Sequence, residues 1–556
     1  MTAPASGGRP LAWTVASALA RGLAVPGFLG PVGWLLLLPA VSWRVHAWEQ
    51  GARWRSDMLG GVVFWLLAFC FLVHVHPLAP PGAALILSSC WIVEGLLYRV
   101  LRRRFSAPGA ALLALPLAEY LRMTWFYLAV GGVPWASLGF ILAPSPAIAL
   151  APFLGEGGLV VLATAFGLIP FALTRARGEG RRIAAVAPLL VLISAGVVAW
   201  SPPLPTTEDT LRCLTIQPMI RVEEKHGGLT ATAFFKREDA LTQRAFAAGE
   251  EPDLVIWAET MWPYAAVEPD SSGLMRRPWP NRPVEERAMA DLQKEQRLLV
   301  RFLLAPAANQ PHFLTGAHFY YPVQPEDGPD ALSPRNTEFV LFDADGDLLQ
   351  HFSKHQLVPF GETLPFGGNF PGADWLSRTF QRHFGLRPDF ARTANTGPLT
   401  EVDGLPRLGG AVCWENVFES TFRMQADAGA QAFLILSNED WFGLDGLEME
   451  QMVEATRLRA AETGLAILRS TNTGVTCLVL PDGSVASELP PGVEGWWAVD
   501  LPLRPAGGWT TAYRAAGWLL LPSWSLVAAI FGAWALARPR PRSQAPVPLD
   551  PSGGEG

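Results

Sequence analysis

The sequence predicts two architectures in one chain, a multi-span α-helical membrane domain and a layered α/β domain inserted before its last helix. Half of the 556 residues are hydrophobic and only 17% are charged, which is unusual for a soluble enzyme. The long apolar runs fall in two blocks, from Leu11 to Trp200 and from Ala515 to Ala537. Between them, from Pro202 to about Trp509, the composition is that of an ordinary globular domain.

Eight stretches are candidate membrane spans, because about 20 apolar residues cross a bilayer. They lie near residues 10–26, 30–43, 60–78, 81–99, 108–128, 145–173, 183–200 and 515–537. The chain therefore divides into an N-terminal membrane domain of about seven spans (1–201), an inserted domain (202–508), a C-terminal transmembrane helix (509–540) and a tail (541–556). The tail is rich in Pro, Ser and Gly, a composition that predicts disorder.

The distribution of arginines predicts the orientation of the membrane domain. Arginines collect in alternate loops, and positively charged loops stay in the cytoplasm. They are Arg44, Arg53, Arg55, Arg99, Arg102, Arg103, Arg104, Arg175, Arg177, Arg181, Arg182, Arg538, Arg540 and Arg542. With seven spans before it, the inserted domain is expected outside the cytoplasm, with both termini inside.

The inserted domain contains short runs rich in β-branched and aromatic residues. Strands are predicted near residues 211–216, 254–257, 313–320, 339–342, 409–412, 433–436, 466–469 and 475–480, with hairpin turns at 343–347 and 481–484. Helical stretches lie between several of these strands. Such a mixture predicts a layered α/β domain in which the ends of the strands carry the chemistry.

Three side chains at the ends of such runs are candidates for catalysis. Cys413 follows an apolar run and precedes a predicted helix start, where backbone N–H groups and the helix dipole favour a thiolate and lower the pKa of the thiol. Taken alone, a free cysteine of this kind is more often a small buried hydrophobic residue. Glu259 ends another strand and Lys354 follows a hairpin. A surface acid and a solvated loop charge are the alternatives for these two.

Other classes of site find no support in the sequence. The net charge of −7 gives no indication of a basic surface that would bind nucleic acid. No Gly-rich phosphate loop and no metal-ligand spacing is present, so neither a cofactor nor a metal is expected. The five cysteines are too few and too scattered for a disulfide framework.

In their order along the chain, Glu259, Lys354 and Cys413 resemble the Glu-Lys-Cys triad of the nitrilase superfamily. Combined with membrane spans, the chain resembles the apolipoprotein N-acyltransferase family, the membrane-fused branch of that superfamily. Five motifs carry the resemblance. They are Ala118-Glu119-Tyr120-Leu121-Arg122, Val133 to Gly139, His355 to Glu362, Ser437 to Gly443 and Arg469 to Gly474. The resemblance implies an αββα sandwich for the inserted domain and a bacterial inner membrane location, with this domain in the periplasm.

Carried over by residue, the resemblance implies that Cys413 is the nucleophile, Glu259 the general base and Lys354 the cation beside the oxyanion. Three neighbours are expected to support them: Glu362, Trp414 and Glu415. Glu362 could instead cap a turn. Two aromatic segments, 261–264 and 366–390, look like loops that dip into lipid, although they could simply close the core. Their candidate substrate-binding residues are Trp262, Tyr264, Trp375 and Phe380.

Two departures from the family concern lipid or acceptor contacts rather than the triad. Where the family tends to have Gly-Asn-Ile and then a Trp, this chain has Pro218-Met219-Ile220 and then Lys225-His226. A family-like Gln-His is Gln451-Met452 here.

The function implied is transfer of a fatty acyl group from a phospholipid to the α-amino group of a diacylglyceryl-cysteine on an apolipoprotein. The reaction would be ping-pong, through a thioester on cysteine. A membrane-tethered carbon–nitrogen hydrolase or amidase with the same triad, using water as acceptor, is the alternative enzyme. A noncatalytic scaffold or transporter is a third hypothesis, because charges within a membrane domain, here Glu94 and Glu119, often mark pathways.

Overall fold

A computed structural model describes most of the chain. The described residues are 9–125, 132–175, 209–226, 228–268, 272–279, 282–323, 332–384, 388–390, 399, 402, 404–444, 446–505 and 511–537. The predicted span at 183–200, the end of the predicted span at 108–128 and the tail at 541–556 lie outside them.

The N-terminal part of the chain is helical. Its helices are α1 (Arg9–Leu23), α2 (Leu37–Glu49), α3 (Trp54–Ala68), α4 (Ala79–Leu101), α5 (Ala107–Tyr120), α6 (Leu138–Ile141), α7 (Ala151–Gly167) and α8 (Ile169–Arg175). Among the described residues, three helical stretches are long and apolar enough to cross a membrane: Ala79–Leu101, Pro146–Thr174 and Gly517–Ala537. They coincide with the predicted spans at 81–99, 145–173 and 515–537.

Two predicted span limits are wrong. The helix expected at 30–43 begins only at Leu37, after a 3-10 turn over Gly30–Leu36. The helix expected at 60–78 is Trp54–Ala68. Its first turn contains the acidic residue Asp57, so a prediction based on apolar residues alone places the start of this helix too late. Asp57 nevertheless lies in the interior, where its Oδ1 accepts from Arg44 Nη1 at 2.9 Å.

Buried ion pairs connect the first five helices. Arg21 of α1 pairs with Glu94 of α4 at 2.9 Å and also with Glu119 of α5. Arg44 of α2 pairs with Asp57 of α3. Charges in apolar surroundings are tolerated when they are paired in this way. Glu94 and Glu119 therefore hold helices together.

The inserted domain contains two sheets that face each other and a separate hairpin. The strands are β1 (Thr210–Gln217), β2 (Leu254–Val267), β3 (Leu274–Trp279), β4 (Arg282–Ala288), β5 (His312–Tyr320), β6 (Arg335–Phe342), β7 (Leu348–Ser353), β8 (Leu408–Val412), β9 (Ala432–Ser437), β10 (Ile467–Thr471), β11 (Thr476–Val479), β12 (Val485–Leu489) and β13 (Gly495–Pro502). One sheet has the order β13-β1-β2-β5-β6-β7 and the other β12-β11-β10-β9-β8, while β3 pairs with β4 alone.

The inserted domain also contains the helices α9 (Val222–His226), α10 (Ala231–Ala247), α11 (Met289–Leu304), α12 (Ala373–Phe384), α13 (Glu419–Asp427) and α14 (Leu447–Thr463). Four of these helices cover the outer faces of the two sheets. Helices α10 and α11 pack on β2, whereas α13 packs on β8 and α14 on β11. Along β2, Leu254 and Ile256 point between the sheets and Val255 points to the helices, the alternation that a two-sided strand requires. The predicted αββα sandwich is confirmed.

The chain ends with helices α15 (Ala512–Ala515) and α16 (Leu520–Ala537), which return to the membrane domain. Helix α16 packs against α4, α5 and α7. Helix α14 of the inserted domain also packs directly on α7. The two domains therefore share an extensive interface beneath the five-stranded sheet.

Candidate active site

Glu259 is fixed by backbone on two sides. Its side chain lies near the middle of β2 and is buried, and its Oε2 accepts a hydrogen bond from the backbone N–H of Asn438 at 2.9 Å. On the adjacent strand β5, a Cβ at Gly316 would lie 2.7 Å from the Cα of Glu259. Only glycine permits this close approach of the two strands. Burial raises the pKa of Glu259, and Lys354 opposes this rise.

Lys354 follows β7 and lies between two carboxylates. Its Nζ donates to Glu362 Oε1 at 2.8 Å and to Glu259 Oε1 at 3.5 Å. Its side chain is only 1% exposed. Burial lowers the pKa of Lys354, but the charges of Glu362 and Glu259 outweigh burial and raise it above its ordinary value. The residue therefore remains an ammonium at any physiological pH.

Glu362 has one carboxylate oxygen for each of its two expected roles. While Oε1 accepts from Lys354, Oε2 accepts from the backbone N–H of Val358 at 2.8 Å. Glu362 thus closes the turn 358–362 and holds the ammonium at the same time.

Glu415 connects the cysteine turn with the lysine loop. Its Oε1 accepts from the backbone N–H groups of His355 and Gln356 at 2.7 and 3.0 Å, and its Oε2 accepts from that of Val412 at 2.9 Å. Burial raises the pKa of Glu415 to about 7, although these N–H groups lower it in part. Deleting this carboxyl would remove the hydrogen-bond partner of three N–H groups, and those of Gln356 and Val412 are buried.

Cys413 stands at a strained turn directly after β8. Its φ is 49°, a region that costs energy for a residue with a side chain. Burial raises the pKa of the thiol well above its ordinary value and the carboxylate of Glu259 raises it further, while Lys354 opposes both. The predicted lowering of this pKa is wrong. The turn after Cys413 is a 3-10 segment of five residues, Cys413–Val417, rather than an α-helix, and burial beside carboxylates dominates.

Two predicted lipid-facing segments differ from expectation. Residues 261–264 belong to β2, and Trp262 is 2% exposed and packs against Phe235, Phe313 and Phe342. Trp262 is therefore a core residue, and Tyr264 packs beside it. The segment 366–390 contains helix α12 rather than an irregular loop. On that helix, Trp375 is 65% exposed and Phe380 stacks on Phe360 at 5.6 Å.

Three further residues support this site from outside the predicted triad. Gly316 and Asn438 fix Glu259, as described above. Asn472 bonds Asn438 Oδ1 at 2.9 Å and both backbone groups of Ile220, so it braces the loop that supports Glu259. Asn438 and Asn472 lie in the motifs at 437–443 and 469–474, and those motifs are the signal that could have identified them. Among the described residues, no group of acidic, His or Cys side chains is arranged to hold a metal.

Comparisons with known proteins identify the family of the chain. The sequence profile "Carbon-nitrogen hydrolase" matches residues 225–510, slightly more than half of the chain. The chain therefore belongs to the carbon–nitrogen hydrolase family, that is, to the nitrilase superfamily, and the predicted resemblance is confirmed.

Relatives that match both parts of the chain share one name, apolipoprotein N-acyltransferase. The protein of that name from Chlorobaculum tepidum is 25% identical over 91% of this chain and 93% of its own length. That from Allorhizobium ampelinum is 28% identical over 81% of this chain and 80% of its own. An amidase from Nesterenkonia sp. of known structure is 18% identical, covering 53% of this chain and 92% of its own, with a TM-score of 0.34. The chain is an enzyme of the acyltransferase type within the family.

Proposed function

We propose that this protein moves a fatty acyl group from a phospholipid to the α-amino group of a diacylglyceryl-cysteine at the N-terminus of an apolipoprotein. The observation that carries the proposal is the grouping of Glu259, Lys354 and Cys413 in a domain packed directly on membrane helices. The names of the relatives support the acceptor. The phospholipid donor follows from the location, since acyl chains reside in the bilayer.

In the first half-reaction, Glu259 takes the proton of the Cys413 thiol, and the thiolate attacks the ester carbonyl of the donor. The raised pKa of the thiol means that this base is required. Lys354 and the backbone N–H of Trp414 stabilise the tetrahedral oxyanion; one such donor is worth about 3–4 kcal/mol. Collapse of the intermediate breaks the C–O bond, and the leaving alcohol of the lysophospholipid takes the proton from Glu259. A thioester remains on Cys413.

In the second half-reaction, the neutral amine of the acceptor attacks the thioester carbonyl. Glu259 takes a proton from the nitrogen as the new C–N bond forms. The C–S bond then breaks, and the thiol of Cys413 recovers the proton from Glu259. An amide is formed and the resting enzyme returns.

The proposed location is the bacterial inner membrane with the catalytic domain in the periplasm and both termini in the cytoplasm. Packing supports this arrangement. Trp534 near the end of α16 lies under Arg104, 5.2 Å from its guanidinium carbon, so the C-terminal end of the last helix meets an arginine-rich loop. That loop belongs on the cytoplasmic side by the positive-inside rule.

The test is to incubate the purified enzyme with a defined phospholipid and no acceptor, and to measure the mass of the Cys413 peptide. We expect an acyl adduct that hydroxylamine or a diacylglyceryl-cysteine peptide discharges, with one lysophospholipid released for each acylated enzyme. Cys413→Ser should release almost none, because a carboxylate activates a hydroxyl poorly. Lysophospholipid release at the wild-type rate from Cys413→Ser would refute the covalent mechanism.

Membership of the carbon–nitrogen hydrolase family favours one alternative, hydrolysis by the same three residues. Free fatty acid without N-acylated peptide, in the presence of acceptor, would support it. The structure offers no support for the transporter hypothesis, which rested on two acidic residues within the membrane domain. Both of them, Glu94 and Glu119, are paired with Arg21.

A further inference from the structure

A tryptophan of the membrane domain lies flat on the residue next to the nucleophile. Trp135, between α5 and α6, is 3% exposed. Its ring stacks on that of Trp414, with centroids 5.6 Å apart and planes inclined by 7°. Trp414 directly follows Cys413 and supplies the backbone N–H assigned above to the oxyanion. The contact therefore joins the membrane domain to the reacting atoms through one peptide unit.

Trp135 is itself held from both domains. Its Nε1 donates to Gln451 Oε1 of α14 at 2.6 Å. Its carbonyl oxygen accepts from Arg122 Nη1 at 2.8 Å, and the same nitrogen donates to the carbonyl of Val133. Arg122 also pairs with Glu119. The segment before α6 is thus anchored to the buried ion pairs of the membrane helices.

Aromatic packing removes the remaining freedom of the ring. Phe69 and Phe71 contact Trp135 with centroids at 5.9 and 5.6 Å. Phe71 in turn packs edge-on against Phe442 of the catalytic domain at 5.4 Å. Trp135 therefore has a fixed position, whereas Trp414 is only half-buried and follows a residue with strained backbone.

We propose that Trp135, clamped by Arg122 and Gln451, is a positioning residue that sets the place of Trp414 and its backbone N–H, and thereby the rate at which Cys413 is acylated. The inference rests on the proposed function. A group displaced by about 1 Å from its productive geometry costs on the order of 10²-fold in rate. Loss of the stack should therefore lower kcat and leave the KM for phospholipid near its wild-type value.

The experiment compares Trp135→Leu with Trp48→Leu in detergent micelles, each normalised to folded protein by size-exclusion chromatography. Trp48 is a matched control in the membrane domain. It is also buried, stacks on Tyr98 at 4.4 Å and donates Nε1 to Asp57 at 3.0 Å, but it has no contact with Trp414. We expect kcat of Trp135→Leu to fall about 10²-fold and that of Trp48→Leu to stay near wild type. A kcat for Trp135→Leu within twofold of wild type, or an equal fall in Trp48→Leu, would overturn the proposal.

Trp135→Phe is a second, milder variant in case Trp135→Leu does not fold. It retains an aromatic ring against Trp414 and loses the hydrogen bond to Gln451. It should lie between wild type and Trp135→Leu. A second readout, the rate at which a small haloacetamide alkylates Cys413 without lipid, is followed by mass spectrometry of the Cys413 peptide. This rate should change in Trp135→Leu and not in Trp48→Leu, and equal rates would count against positioning. Because alkylation needs no acyl donor, it tests Trp135 even if the wild type forms no thioester and the proposed function fails.

Discussion

Strained backbone collects around the candidate site. Thr260, which follows Glu259, has φ 55°, Phe360 in the turn that holds Lys354 has φ 64°, and Cys413 has φ 49°. Met219, at φ 54°, donates its N–H to the carbonyl of Asn472. Such conformations cost about 1–3 kcal/mol each and persist where surrounding contacts impose them. Around Phe360, Cys413 and Met219 those contacts are the hydrogen bonds of Glu362, Glu415 and Asn472.

Replacing Lys354 by Arg should abolish most activity although the charge is retained. The ammonium occupies a fully buried position between Glu259 and Glu362, and a planar guanidinium fork does not fit a site shaped for a point charge. We expect kcat to fall roughly 10²–10³-fold, the cost of losing one oxyanion donor. Lysophospholipid release from purified Lys354→Arg measures this, and near-wild-type turnover would refute the oxyanion role.

Glu362→Gln separates the two functions of that side chain. Its amide oxygen can still accept from Val358, but the negative charge beside Lys354 is lost. Turnover should therefore fall about tenfold or more, the cost of one weakened charge-assisted hydrogen bond, with little change in melting temperature. Glu494→Gln, which removes an exposed partner of Arg237, is the control. Unchanged kinetics in Glu362→Gln would leave only the turn-capping role.

Sequence alone predicts the catalytic roles proposed for these residues but not their electrostatics. Glu259, Lys354 and Cys413 can be named because their positions and order along the chain resemble the triad of one superfamily, and Glu362 and Glu415 because they lie close to that triad in the sequence. The raised pKa of the Cys413 thiol could not be predicted, because it depends on burial and on carboxylates distant in sequence. For the same reason the roles of Gly316 and Asn438 become visible only when neighbouring strands are aligned.

At the level of elements, patterns of apolar residues predict the central strands well and the peripheral ones poorly. Strands β1, β5, β8 and β9 lie where predicted because they are buried on both faces. Strand β2 continues through Pro263, a residue that normally argues against a strand. Helix α12 is predicted as a loop because the segment 366–390 is rich in Gly and Pro and its apolar residues show no clear periodicity.

Helix α12 presents an aromatic side chain that should enter lipid. Trp375 is 65% exposed, and burying one large aromatic side chain in an apolar phase is worth about 1.5–3 kcal/mol. Trp375→Ser should raise the KM for phospholipid in vesicles by roughly tenfold or more and leave kcat unchanged. Phe302→Ser on α11, which removes an aromatic side chain of 63% exposure, is the control. Equal KM values for both variants and the wild type would exclude α12 from lipid binding.

The interface between α7 and α14 should be sensitive to alkaline pH. Glu462 of α14 accepts from the backbone N–H of Glu156 at 2.5 Å and pairs with Arg459 at 3.2 Å. Burial raises the pKa of Glu462 to about 8, Arg459 opposes it, and Glu419 and Glu156 add to it. This pKa exceeds that of an unfolded glutamate, about 4.3. The protonated Glu462 side chain therefore stabilises the folded protein fully at low pH, and this contribution is lost as pH rises through about 8.

Glu462→Gln, which mimics the protonated acid, should therefore melt at a higher temperature than the wild type at pH 9 and near the same temperature at about pH 4. Each kcal/mol by which the substitution lowers the free-energy cost of burying an ionised carboxylate raises Tm by roughly 2–4 °C. Thermal unfolding in detergent at the two pH values measures this, with the exposed Glu488→Gln as control. A wild-type advantage at pH 9 would show that the ionised carboxylate stabilises the interface.

At the scale of the whole molecule, the helix ends divide into two sets. Leu447 of the catalytic domain lies directly against Gly27, just beyond α1, and His74 before α4 contacts Gly443. These ends face the catalytic domain. Helix α4 then runs for 23 residues, about 34 Å, enough to cross the hydrocarbon core. At its far end Arg102 pairs with Glu49 of α2 at 2.9 Å. The arginine-rich ends therefore lie on the face opposite the catalytic domain.

This division makes the orientation testable with one pair of introduced cysteines. Ser487→Cys lies on an exposed hairpin of the catalytic domain, and Arg103→Cys lies at the exposed far end of α4. In intact spheroplasts, a membrane-impermeant maleimide should label the first and not the second, because positively charged loops stay in the cytoplasm. Permeabilised cells should give labelling at both positions, which controls for accessibility, and peptide mass spectrometry separates these sites from the native thiols. Labelling of Arg103→Cys alone in intact spheroplasts would invert the orientation. The acceptor would then have to meet the enzyme on the cytoplasmic face.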